Sequence, residues 1–208
     1  MVIDRLSRMY DQIYIDEIQD MAGYDLELLD LLMKSPIAVT VVGDPRQATF
    51  VTNNATKNKQ FKGSGIVEWL GKRADLCLVE NRVESYRCNQ EICDFADGLQ
   101  PDLARTVSKN TEITGHDGIF AIRKSAVLEY AEKYAPTVLR WDKRADTCGL
   151  ESMNMGTSKG STFDRVLIFP TAPMVKYYKT RDCTQAGDKA KLYVAVTRAK
   201  YSAAFVLP

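Results

Sequence analysis

The stretch QIYIDEIQDMAGYDLELLDLLMKSPIAVTVVGDPRQ, residues 12–47, decides the fold class. Gln12–Ile15 is a short β-type run that stops at Asp16-Glu17, and Tyr24 to Met33 places Leu26, Leu29, Leu32 and Met33 at helical spacing. Ala38–Val42 follows as a second, buried strand, stopped by Gly43-Asp44-Pro45. Strand, helix, strand with both strands apolar throughout predicts a parallel sheet in an α/β layer. Acidic residues then sit just past the carboxyl end of each strand, where open parallel sheets place their ligands.

Outward from this unit, residues 52–65 (TNNATKNKQFKGSG) form a polar, turn-rich loop. The pattern then predicts a helix at Ile66–Leu70, a strand at Leu76–Val79 and an amphipathic helix at Asn89–Leu99 with Ile92, Phe95 and Ala96 inward. Residues 100–117 are polar and rich in turn formers. A second α/β set follows, with strands at Gly118–Ile122, Thr137–Trp141, Arg165–Phe169 and Ala203–Leu207 and helices at Ala126–Tyr134 and Lys189–Thr197.

Bulk properties exclude more than they assign. The 208 residues are 45% hydrophobic, enough for real cores, and 28 basic against 27 acidic side chains leave a net charge of +1. A nucleic-acid partner would therefore be met by a local basic strip and not by a global field. Cys77, Cys88, Cys93, Cys148 and Cys183 include no CxxC pair and have only His116 to help them hold a metal, so reduced thiols are expected. No apolar run reaches the roughly 18 residues of a membrane span, and MVIDRLSRMYDQ lacks a signal-peptide core. A soluble, cytoplasmic protein without a membrane partner is the expectation.

Asp16-Glu17 at a strand end has a use in nucleotide hydrolysis: the aspartate holds Mg²⁺, and the glutamate orients and deprotonates the attacking water. Taken alone, the pair reads more readily as a cap for the next helix. Gly43-Asp44-Pro45-Arg46-Gln47 comes 44 − 16 = 28 residues later, the length of one strand-helix-strand unit. By itself it is a turn, yet it brings Arg46 and Gln47 out beside the acidic pair.

Together with three later segments, these two become specific. YIDEIQD (14–20) and VVGDPRQATF (41–50) resemble motifs II and III of superfamily 1 DNA helicases of the UvrD/Rep type. ESYRCNQEI (84–92) resembles motif IV, SKGSTFDRVLIFP (158–170) motif V and LYVAVTRAK (192–200) motif VI, in the family's order. The resemblance spans about residues 8–206 and implies RecA-like lobes of the P-loop NTPase class with parallel sheets. It implies an incomplete first lobe at 1–87, a connecting helix and linker at 88–117, and a second lobe at 118–208. Arg87 and Lys159 are 159 − 87 = 72 residues apart, which leaves no room for the large second-lobe insertion of UvrD and Rep.

Residue by residue, the resemblance implies Mg²⁺ on Asp16, general-base chemistry at Glu17 and γ-phosphate sensing at Gln47, with Asp44 and Arg46 on the nucleotide side of the same turn. Arg87 and Arg198 match the two arginines brought to the transferring phosphate, where a guanidinium fork stabilises charge spread over the phosphoryl oxygens. The plainer reading of Arg198 is a helix-end arginine paired with the dipole or a carboxylate, and Tyr86 is as well explained by packing. Gly160 and Thr162 face the nucleotide, Thr162 standing where the family has a ribose-binding glutamate; Gly156 stands where it has a histidine. Thr157, Ser158 and Lys159 are expected at the backbone of single-stranded DNA, and Phe50 under a base, unless Phe50 instead closes the first core.

The family's Gly-x-x-x-x-Gly-Lys-Thr/Ser loop has no match, and KGSG at 62–65 follows no strand. Two readings follow. In the first, this is the carboxy-terminal part of an ATP-dependent DNA translocase, inactive alone and completed by a missing N-terminal segment or a partner subunit. In the second, it is a truncated, non-catalytic module that binds DNA or a helicase or nuclease subunit.

Overall fold

The computed structural model describes residues 2–208, and these fall into two units divided between Glu80 and Asn81. In the first unit, α1 (Val2–Ser7) leads into β1 (Gln12–Ile15), α2 (Asp25–Met33), β2 (Ala38–Val41) and α3 (Gly65–Gly71). β1 and β2 pair in parallel, Gln12 opposite Ala38 through Ile15 opposite Val41, as the crossover helix requires. Leu26 and Leu29 of α2 and Ile66 and Trp69 of α3 pack with Ile18 and Phe61 against one face, where Ile15, Val39 and Val41 point.

The other face of this pair is open. Gln12, Tyr14, Ala38 and Thr40 alternate outward, with Tyr14 71% exposed, so the expectation of a buried second strand fails on one of its two faces. Val42, also assigned to that strand, is exposed beyond its end. The strand expected at Leu76–Val79 is absent too. These residues pair with no strand and Leu78 is 86% exposed, because four apolar residues make a strand only where a neighbouring edge accepts their hydrogen bonds.

The second unit opens with β3 (Glu84–Ser85), α4 (Gln90–Asp97) and β4 (Val107–Ser108), the two short strands pairing in parallel. It continues through β5 (Gly118–Arg123), α5 (Val127–Tyr134), β6 (Thr137–Arg140), β7 (Met153–Asn154), β8 (Phe163–Phe169), α6 (Ala172–Thr180), α7 (Lys189–Thr197) and β9 (Ala199–Leu207). The last five strands form one parallel sheet in the order β5-β9-β8-β6-β7. The motif IV-like segment and residues 100–117 thus belong to this unit.

Alternation along the strands divides the core between the two faces of the sheet. Leu139, Val166, Ile168, Ala203 and Phe205 meet α4, α6 and α7, while Val138, Leu167, Phe169, Ala204 and Val206 meet α5. α7 is buried from Leu192 to Thr197 and lacks a polar stripe, as befits a helix enclosed on all sides. Asn89 caps α4 by accepting the Ile92 amide at 3.1 Å, and Asp188 caps α7 by accepting the Lys191 amide at 2.9 Å. The sequence pattern had missed α6, whose Met174 and Tyr177 are its only buried residues.

Candidate functional site

Each unit gathers its own set of the expected residues. In the first, β1 delivers Asp16 to its carboxyl end, and the next residue turns sharply. Glu17 takes a left-handed conformation, φ 56°, unusual for a residue with a Cβ, and its amide donates to Asp16 Oδ1 at 2.7 Å. The turn is held from below by Gln19, which is 1% exposed. Its amide nitrogen donates to Glu17 Oε2, and its oxygen accepts the backbone N–H of Asp44 at 3.1 Å. Gly43 makes room for this bridge, since a Cβ there would stand 2.2 Å from Gln19 Oε1.

Asp44 organises the second strand end. Its Oδ1 accepts the amide of Arg46 at 3.0 Å and the Arg46 Nε at 2.9 Å, and its Oδ2 accepts from Gln47 Nε2 at 3.1 Å. Asp16, Glu17, Asp44, Arg46 and Gln47 are therefore brought together, and the residue that joins the two strand ends is Gln19. Sequence reasoning passed over Gln19; its signal was a polar side chain one position beyond Ile18 within IDEIQD. Phe50 is 52% exposed on the loop that follows, so the expectation that it closes a core does not hold.

In the second unit two arginines converge on the end of α7. Arg87 Nη1 donates to the carbonyl of Thr197 at 3.3 Å, and Cys88 Sγ meets the same oxygen at 3.4 Å. Asn110 Nδ2 holds the Arg87 carbonyl at 2.8 Å, and Asn89 Nδ2 holds that of Tyr201 at 2.6 Å. Arg198 is only 2% exposed, its Nε on the Val194 carbonyl, Nη1 on the Ser161 carbonyl and Nη2 on Thr197 Oγ1, each at 3.3 Å. A guanidinium so placed braces α7 against the loop before β8, where the Phe163 amide in turn donates to the Arg198 carbonyl at 2.8 Å.

The loop expected at a nucleic-acid backbone splits. Thr157 is exposed, with its hydroxyl on the Asn154 carbonyl at 2.7 Å, and Lys159 is half-buried. Ser158 is a correction: fully buried, it gives its hydroxyl to the Met155 carbonyl at 2.7 Å and serves the turn instead of a phosphate. Gly160 has φ +82° and open space around it, so the backbone conformation and not close approach calls for glycine. Thr162 is exposed. Among the described residues no cluster of three or more His, Cys, Asp or Glu side chains could hold a metal ion. Asp16, a hard oxygen donor exposed at a strand end, fits Mg²⁺, which takes one or two carboxylates and draws its remaining ligands from phosphates and water.

The titratable cysteines sit beside this arginine cluster. Cys88 is lowered by its hydrogen bond with Cys93 and by Arg87 and Arg198, against the opposing effect of burial, while Cys93 is raised by the Cys88 bond and by burial. All five cysteines are free. Among the described residues no helix is long and apolar enough to cross a membrane.

Comparison with known proteins agrees with the fold and revises the family. A solved structure titled "The structure of PRRSV helicase" superposes with a TM-score of 0.57 at 21% identity over 94% of this chain and 34% of its own. An arterivirus nonstructural protein 10 helicase in complex with DNA superposes at 0.59 and 17% identity, over 95% and 40%. A second arterivirus nonstructural protein 10 structure gives 0.57 and 18%, over 94% and 38%. The chain spans a little over a third of the length of these structures. No curated protein matches. The superfamily reading from motifs II to VI stands, but the UvrD/Rep branch and its DNA specificity do not. Resemblance in those motifs does not separate the branches of the superfamily. Residues 4–206 match the model of the viral superfamily 1 RNA helicase core domain, and the chain belongs to that family.

Proposed function

We propose that this chain is the water-activating and arginine-bearing part of an ATP-driven motor that moves on single-stranded RNA. The observation that carries the reading is the Gln19 bridge, which fixes Glu17 against Asp44 and so couples the acidic pair to the turn that bears Gln47. Asp16 would hold Mg²⁺, which neutralises phosphate charge as the γ-phosphoryl group transfers. Glu17 accepts the proton of the attacking water, its carboxylate held in place by Gln19. Gln47 exchanges its bond to Asp44 for one to the γ-phosphate, and Arg87 carries a guanidinium of the kind that stabilises phosphoryl charge.

The chain contains no phosphate-binding loop, so that element comes from a further segment or from a partner subunit. The open face of β1 and β2 supports this, since parallel sheets are ordinarily covered on both sides. RNA is proposed as the track from the family; a related helicase is titled as a complex with DNA, which makes a DNA strand the second probe.

The test supplies a phosphate-loop segment in cis or in trans and measures RNA-stimulated ATP hydrolysis. Glu17→Gln is expected to lower turnover by about 10²- to 10⁴-fold while nucleotide binding persists, the usual contribution of a positioned base. Undiminished hydrolysis in that variant would sink the reading. One observation favours a second reading, a non-catalytic binding module: Arg198 is spent on carbonyl oxygens. That module would bind a strand yet hydrolyse nothing when the loop is supplied.

A further inference from the structure

A patch at the carboxyl edge of β6 and β7 borders the loop that bears Thr157. Trp141 directly follows Arg140, the last residue of β6, and packs against the main core of the second unit while staying half-exposed. Lys191, in the first turn of α7, lays its ammonium 3.9 Å from the centroid of the Trp141 ring. Its stem passes Gly156, where a Cβ would lie 3.9 Å from Lys191 Cε. Lys191 also forms an ion pair with Asp188 Oδ2 at 3.7 Å, near the outer limit for such a pair. Arg140 Nε reaches Asn154 Oδ1 across the β6–β7 register at 3.4 Å, and exposed Thr157 bonds the Asn154 carbonyl. An indole, two cations and a hydroxyl thus share one edge of the sheet.

We infer that Trp141 is a base-stacking platform for single-stranded nucleic acid and that Lys191 is its phosphate partner, leaving the ring for the backbone when a strand arrives. The inference rests on the proposed function, which supplies the strand. An ammonium on a partly exposed ring contributes roughly two- to fivefold to an equilibrium, whereas a stacked base contributes roughly fivefold to a hundredfold. The exchange therefore runs toward the base. The displaced ammonium loses little, because a phosphate oxygen replaces the ring as its partner. Arg140 and Thr157 border the same edge and supply a second cation and a hydroxyl to the next phosphate.

The chain's two tryptophans make the test direct. Trp69 is fully buried in the core of the first unit, so an emission change on strand binding reports Trp141. Labelled oligouridylate is titrated into the chain while label anisotropy and indole emission are read together. Indole quenching that saturates with the anisotropy supports the inference. Trp141→Leu, checked for native circular dichroism, is expected to bind roughly tenfold more weakly. Lys191→Met leaves the core untouched; it is expected to keep the quenching and to lower the salt slope of log K by about 0.7, one phosphate on a single strand. Anisotropy that reports binding with unchanged indole emission, or an unchanged slope in Lys191→Met, overturns the inference and leaves the proposed function standing. An absence of any strand binding overturns both.

Discussion

Two arginines of one motif set have different physical standing. Arg87 is half-buried with its guanidinium on a single backbone carbonyl, Thr197, whereas Arg198 is enclosed and donates to Val194, Ser161 and Thr197. Removing Arg198 takes the guanidinium donor from the Ser161 carbonyl and one of two side-chain donors from the Val194 carbonyl, at a cost on the order of 1–3 kcal/mol for a group left orphaned. Arg198→Ala is therefore expected to lower the urea midpoint of the chain clearly, and Arg87→Ala to leave it nearly unchanged while abolishing stimulated hydrolysis in the completed motor. Equal midpoints for the two variants would show that Arg198 is not a brace. The placing of Asp16 and Glu17 at one strand end and Gln47 just past the next was legible in the chain because each lies within a short, ordered motif. Gln19 was not, because its value comes from Asp44, 25 positions away. Ser158 was misjudged for a different reason: a hydroxyl beside a basic loop looks available until the turn buries it and the nearby Met155 carbonyl takes it.

At the scale of elements, caps and alternation carried most of the reading. α7 runs over the residues its pattern indicated, and α4 begins at the Asn89 cap. Asn89 does two things, accepting the Ile92 amide and donating to the Tyr201 carbonyl on β9. Asn89→Ala is expected to cost about 1 kcal/mol for the cap and further for the lost tie to β9, read as a fall in thermal midpoint. Asn89→Asp keeps the cap oxygen but not the donor, so it separates the two contributions. A midpoint unmoved in both variants would refute the tie. The strand expected at Leu76–Val79 failed because apolar character alone does not provide a partner edge, and α6 escaped notice because its short amphipathic run, Ala172–Thr180, mixes lysines and tyrosines.

For the whole molecule, the two units differ in how completely their sheets are covered. β8 and β9 are central in a five-stranded sheet with helices on both faces; β1 and β2 are a lone pair with one open face. Amide hydrogen exchange is expected to be slowest in Val166–Phe169 and Ala203–Val206 and markedly faster in Ile13–Ile15 and Val39–Val41. Comparable protection in the two sets would mean that the open face is covered in solution. The order of motifs, the parallel α/β class and the acidic strand ends could be read from the chain, because hydrophobic period and turn chemistry are local properties. Packing alone set the burial of Arg198, the Gln19 bridge, and the seat of Lys191 on Trp141. Each of these joins residues distant in sequence, and a side chain's partners there depend on which surfaces the fold brings into contact.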